Sequence, residues 1–211
     1  MLNFLLIIPA YNEEKYIADT LDSLVRQSYK PAQIIVVNDH STDKTAQIVQ
    51  GFADDYSFIQ LINRKSKAES IPGAKVIHAF YEGLANADQG YDVICKFDAD
   101  LVFPVHYMEK LNERFSSDAN LGMYGGVCMI KQNEEWVTES LTNLDHLRGA
   151  LKAYRKDCFE QIGGLKKAMG WDTLDELLAR YHGWKVEVDA QLSNVLNAKE
   201  DSRACLSACA T

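Results

Sequence analysis

From Phe4 to Phe97 the chain alternates short, mainly apolar runs with longer segments whose apolar residues recur at helical spacing. The runs at 4–8, 33–38, 59–62 and 91–97 predict strands, the first of them buried on both faces. Between them, residues 13–27 carry a stripe of Tyr16, Ile17, Leu21, Leu24 and Val25, which predicts a helix. A second helix is expected from a Ser41 N-cap to about residue 52, and a third over 74–87. Pro104 stands where it can open a fourth. This β-then-α alternation implies an α/β fold with a mixed, mainly parallel central sheet and flanking helices. Beyond Ser116 the pattern loosens. Strands are expected at 122–130, 149–154 and 185–188, with a helix over 172–182. The polar stretch 63–73 reads as a mobile loop, and 194–211 as a short C-terminal tail.

Composition agrees with a single domain: 211 residues, 47% hydrophobic and 25% charged, suffice for a sizeable core. No linker or repeat divides the chain, so the expected layout is a domain over 1–193, with a first half at about 1–101 and a second at about 102–193. The net charge of −8 gives no general attraction to nucleic acid or anionic lipid. Arg64, Lys65 and Lys67 form the one short basic cluster. The apolar run Phe4–Ile8 is far shorter than the roughly 20 residues of a membrane span and lacks a basic leader, which points to a cytoplasmic protein. Five scattered cysteines without a CxxC suggest reduced, buried or tail thiols rather than disulfides or zinc.

In an open parallel sheet, ligands bind beyond the carboxyl ends of the strands. Three strands here run into acidic or turn-forming text: Pro9-Ala10-Tyr11-Asn12-Glu13-Glu14, Asn38-Asp39-His40-Ser41-Thr42-Asp43, and Asp98-Ala99-Asp100. Each alone is explained by turns and helix caps. Acidic residues gathered at one end of a sheet, however, repel each other unless a cation or a donor-rich ligand is present. In an extended segment Asp98 and Asp100 point to the same side. Two such hard oxygen ligands, with water and diphosphate oxygens completing an octahedron, suit Mg²⁺ or Mn²⁺.

These three strings, in this order and spacing, resemble the successive signatures of family-2 glycosyltransferases with the GT-A fold, over about residues 3–190. The resemblance implies that Pro9, Tyr11 and Glu13 line a nucleotide pocket and that Asp39 receives a hydrogen bond from the base, most often uracil. It implies that Asp100 binds the metal, with Asp98 beside the ribose or the metal-bound water. The family's general base opens a late helix, which here reads Trp171-Asp172-Thr173-Leu174-Asp175-Glu176. Asp172 takes that place, Asp175 and Glu176 are rivals on the same helical face, and Trp171 stands where the family has a glutamate. Asp172 is also readable as a helix cap with favourable first-turn charge. The stretch from His146 to Gly164 resembles the segment leading into the acceptor site; Arg148 there reads equally as a contact to diphosphate or acceptor and as an ordinary surface arginine. His40, His78, His106 and His182 have no ligand spacing. Trp171 and Trp184 suit a sugar-stacking role, although large apolar residues beside a helix are more often core.

The implied activity is inverting transfer of a sugar from a nucleotide-sugar, UDP-linked, to a saccharide or lipid-linked acceptor, in cell-surface polysaccharide or glycoconjugate synthesis, with at most peripheral membrane contact. Two alternatives stand beside it. A degenerate transferase would bind the nucleotide-sugar without turnover. A sugar nucleotidyltransferase would need a glycine-rich, basic first loop, which Pro9-Ala10-Tyr11-Asn12 is not.

Overall fold

A computed structural model describes residues 1–65, 74–132, 135–138 and 146–196. Its strands are β1 (Phe4–Ala10), β2 (Gln33–Asn38), β3 (Ile59–Asn63), β4 (Val93–Phe97), β5 (Leu101–Val102), β6 (Leu121–Gln132), β7 (Glu135–Thr138), β8 (Leu151–Arg155) and β9 (Lys185–Leu196). The helices are α1 (Ile17–Val25), α2 (Thr45–Asp55), α3 (Ala74–Ala85), α4 (Tyr107–Ser117), α5 (Lys156–Gln161) and α6 (Trp171–Tyr181). One sheet runs in the order β3-β2-β1-β4-β8-β6-β9-β5, with β7 on β6. The first four of these are mutually parallel, β8 is antiparallel to β4 and β6, and β9 is parallel to β6.

Strands β1 and β2 are buried on both faces because helices cover both. Phe4, Leu6, Ile8, Ile34 and Val36 face Ile17, Leu21 and Leu24 of α1 and Leu111 and Phe115 of α4. The alternate residues Leu5, Ile7, Ile35 and Val37 face Ile77 and Phe80 of α3, Phe159 of α5 and Trp171 of α6. Period-two alternation therefore divides one continuous apolar run between two cores.

Several element ends differ from expectation, each for a local reason. Ser41 does not cap α2. Its hydroxyl accepts from the Asn12 amide at 3.0 Å, while Asp43 takes the Thr45 amide at 2.9 Å and the helix starts at Thr45. The helix expected over 13–27 contracts to Ile17–Val25, because Glu13–Tyr16 is a turn tied to the loop after β2. The expected tail begins later than residue 194, since β9 runs on to Leu196, pairing Asn194 and Val195 with β6 and Leu196 with Leu101. Of the expected loop 63–73, Asn63 ends β3 and 66–73 lie outside the described residues.

A close approach sets the second half of the sheet. A Cβ on Gly126 would lie 1.7 Å from the Leu192 carbonyl oxygen, so β6 and β9 meet at a point where only hydrogen fits. Because β8 runs antiparallel to β4, its first residues lie at the carboxyl end of β4, and the segment His146–Ala150 is delivered to the edge where the parallel strands finish. No helix among the described residues is long and apolar enough to cross a membrane.

Candidate active site

The loops after β1 and β2 are laced together. The Asn12 side-chain oxygen accepts the Thr42 amide at 2.8 Å, Thr45 Oγ1 accepts the Glu13 amide at 2.8 Å, and the Glu14 and Lys44 ends are joined through Asp43 and Glu14 carboxylates. Asn12 and His40 both hold positive φ, 55° and 63°, an uncommon backbone state for residues with a Cβ. Pro9 is half-buried at the end of β1, Glu13 is half-buried in the turn, and Tyr11 is exposed at the rim.

Asp39 follows the last residue of β2, and its amide donates to the Ala10 carbonyl at 2.8 Å, which locks the two strand ends together. Its Oδ1 accepts from Arg64 at 2.6 Å and lies 2.9 Å from His40 Nδ1. Arg64 also reaches Glu82 of α3 at 3.2 Å, with its side chain only 2% exposed. The basic cluster expected at 64–67 is thus not a surface patch: Arg64 is buried and neutralised by two carboxylates, and Lys67 lies outside the described residues. His40 is exposed, and its Nδ1 lies beside the Asp39 carboxylate.

Asp98 and Asp100 sit in the turn after β4 rather than in extended chain, so period-two alternation does not apply to them. They flank Ala99, which is buried and whose carbonyl accepts Thr20 Oγ1 of α1 at 2.8 Å. The Asp98 amide donates to the Ala150 carbonyl at 2.8 Å, fixing the other side of the turn to the start of β8. Beneath it, the buried Lys96 donates to Asp98 Oδ1 and, at 2.9 Å, to the Gly149 carbonyl. Sheet register sets Lys96 opposite Lys152 of β8. The two ammonium groups approach the Trp171 ring, at 5.5 and 5.8 Å from its centroid, so this tryptophan belongs to the core and is 4% exposed.

Helix α6 brings its first turn against the same segment. A Cβ on Gly149 would stand 3.1 Å from both Cβ and Oδ2 of Asp172, so the absence of a side chain at 149 lets the Asp172 carboxylate lie over the β8 entry. The shared helical face expected for Asp172, Asp175 and Glu176 is divided. Asp172 remains 30% exposed, whereas Asp175 and Glu176 point inward at 0% and 7%. Asp175 accepts from Lys152 at 2.7 Å and from Tyr154 OH at 2.5 Å. Burial pushes its carboxyl up, against the pull of Lys152. Lys152 also donates to the Asp172 carbonyl, which fastens the first turn of α6 to β8.

The sequence reading missed Lys96, Lys152, Arg64 as a site residue, and His146 as a group lying against the late helix. A signal existed for the lysines: an ionisable residue inside an otherwise apolar strand is buried only with a partner. Oxygen donors suited to a hard divalent cation are present at Asp98 and Asp100. Among the described residues no group of three or more His, Cys, Asp or Glu side chains is gathered as a metal cage, so such a cation would need further oxygens from water or ligand.

The mixed, mainly parallel sheet with helices on both faces is the GT-A fold, as its likeness to solved glycosyltransferases shows. Residues 5–164 match the model of glycosyl transferase family 2, and the chain belongs to that family. The match stops short of α6, so Asp172 lies beyond it. Among curated relatives, a probable glycosyltransferase YdaM from Bacillus subtilis is 36% identical over 96 residues, covering 44% of this chain and 22% of its own. A poly-beta-1,6-N-acetyl-D-glucosamine synthase from Staphylococcus aureus is 29% identical over 122 residues, covering 57% and 27%. The chain thus spans about a quarter of the length of these relatives. In fold it is similar to the mannosyltransferase PcManGT from Pyrobaculum calidifontis, solved with GDP-Man and Mn²⁺ (TM-score 0.74, 19% identity, 97% of this chain and 59% of that one). It is also similar to TarS from S. aureus, solved with UDP-GlcNAc (TM-score 0.67, 20% identity, 94% and 57%).

Proposed function

We propose that this chain transfers a sugar, with inversion, from a UDP-linked nucleotide-sugar to a saccharide or lipid-linked acceptor, in cell-surface polysaccharide or glycoconjugate synthesis. The observation that carries this reading is that Asp39 and the Asp98–Asp100 turn follow β2 and β4, the two parallel strands that flank β1, while Asp172 lies against Gly149, whose carbonyl shares Lys96 with Asp98. Pro9, Tyr11 and Glu13 line the nucleotide side. Asp39 keeps its Oδ1 on Arg64 and His40, and receives the base N–H at Oδ2. Asp98, held by Lys96, faces the ribose and shares the metal with Asp100. The solved mannosyltransferase with GDP-Man and Mn²⁺ supports a divalent metal, Mg²⁺ or Mn²⁺. When bound, it neutralises the charge that develops on the departing nucleoside diphosphate.

Asp172 is the general base. It alone of the three α6 carboxylates is open to solvent and not committed to a buried cation, so it can take the acceptor hydroxyl proton as that oxygen attacks the anomeric carbon. Asp175 positions the helix instead. The nucleotide half is tested by thermal shift with UDP, GDP and their sugars, with and without Mn²⁺. UDP-sugars at about 100 times Kd should stabilise the chain by about 2.7 kcal/mol, and Mn²⁺ should increase the shift. No shift with any nucleotide would remove the proposal. Trp171, in the place of the family's glutamate, favours one second reading, a degenerate transferase; binding without product formation would select it.

A further inference from the structure

Just before β8, His146 lies against α6 with its two ring nitrogens engaged differently. Nδ1 is 3.0 Å from Glu176 Oε1, and Nε2 is 3.9 Å from Asp172 Oδ2. Glu176 Oε1 is pinned by two further donors, the Leu147 amide at 3.0 Å and Lys152 at 3.2 Å. Arg180 stands 3.9 Å from its other oxygen. An ionised carboxylate is an acceptor only, so Nδ1 donates to Glu176 and Nε2 is the ring nitrogen turned towards Asp172. The His146 side chain keeps 18% of its surface, enough to exchange protons with water.

We infer that His146 is a proton relay for Asp172, an inference that rests on Asp172 being the base. As the acceptor oxygen bonds to the anomeric carbon and the bond to the diphosphate oxygen breaks with its electron pair, the hydroxyl proton passes to Asp172. Its carboxylic acid then hands that proton to His146 Nε2, directly after a small side-chain rotation or through one water. Glu176 balances the imidazolium, with Lys152, Arg180 and Asp175 as the other charged groups around it, and the proton leaves to solvent. Asp172 is thereby returned to its ionised form for the next cycle. His146 does not touch the sugar; it acts through Asp172.

His146→Asn tests this, because its side-chain amide can still donate to Glu176 but has nothing at the Nε2 position. The variant should keep the wild-type melting temperature and donor KM while kcat falls about 10- to 100-fold. His146→Ala should regain part of its rate with added imidazole, and the pH profile of kcat should lose one limb in both. Wild-type kcat in His146→Asn, or a loss in His146→Ala that imidazole leaves untouched with an unchanged pH profile, would overturn the relay. Full activity in Asp172→Asn would remove the base along with it. An inactive Asp172→Asn beside a fully active His146→Asn would remove the relay alone.

Discussion

Replacing Lys152 by Met leaves the methylene stem's volume in place but deletes the cation that Asp175 and Glu176 share. Lys152 and Asp175 are both fully buried and 2.7 Å apart, with Glu176 at 3.2 Å. Removing one partner of such a pair strands buried carboxylate charge, which costs about 3–5 kcal/mol. For a domain of this size each kcal/mol lowers the melting temperature by about 2–4 °C, so Lys152→Met should melt about 6–20 °C below wild type. The sign of the pH dependence follows from Asp175. Its carboxyl is already raised in the folded chain by burial, with Lys152 opposing, so losing Lys152 raises it further. The folded state then binds a proton that the unfolded chain releases, and the deficit grows as pH rises above the ordinary carboxylate range. Lys152→Met/Asp175→Asn removes both charges and keeps a group for Tyr154 OH. The pair should show a coupling of at least about 1 kcal/mol in urea melts of the two single variants and the double. A Lys152→Met variant within about 1 kcal/mol of wild type at neutral pH, or strictly additive effects, would refute the reasoning.

Two further outcomes test other parts of the fold. Gly126→Ala forces a Cβ to 1.7 Å from the Leu192 carbonyl oxygen and must part β6 from β9, so it should melt well below wild type or fail to fold, while Gly51→Ala, with nothing near, should not; wild-type melting in Gly126→Ala would contradict the pairing. Asp118 is held at about 2, chiefly by Lys185 and the Asn120 amide. Its contribution is present above the ordinary value near 3.8 and is lost as pH falls through about 2. Asp118→Asn should therefore lose less stability than wild type between pH 5 and pH 2.5, measured by urea midpoints; parallel curves would contradict the ion pair.

The first half of the sheet was legible because its strands are short, continuous apolar runs that leave few other ways to be buried. The same runs hid Lys96 and Lys152, whose burial depends on cross-strand partners that no local pattern reveals. Asp39 and Asp98 could be placed at one edge from parallel strand order alone. That Arg64 turns inward to Asp39 needed the third strand's register, and the inward turn of Asp175 and Glu176 needed the β8 lysine opposite them. The length of β9 was missed since its pairing with β6 passes through bulges and small residues, which break the alternation that marks a strand.

Transfer from a radiolabelled UDP-sugar panel, with Mn²⁺ or with chelator, to acceptor saccharides and lipid-linked saccharides tests the central claim most directly. The wild-type chain should form product only with the divalent metal, Asp100→Ala and Asp172→Asn should each lose at least about 100-fold in kcat, and the product should carry the inverted anomeric linkage. Undiminished transfer by Asp100→Ala or in chelator would contradict the metal-diphosphate site, and undiminished transfer by Asp172→Asn would contradict the base.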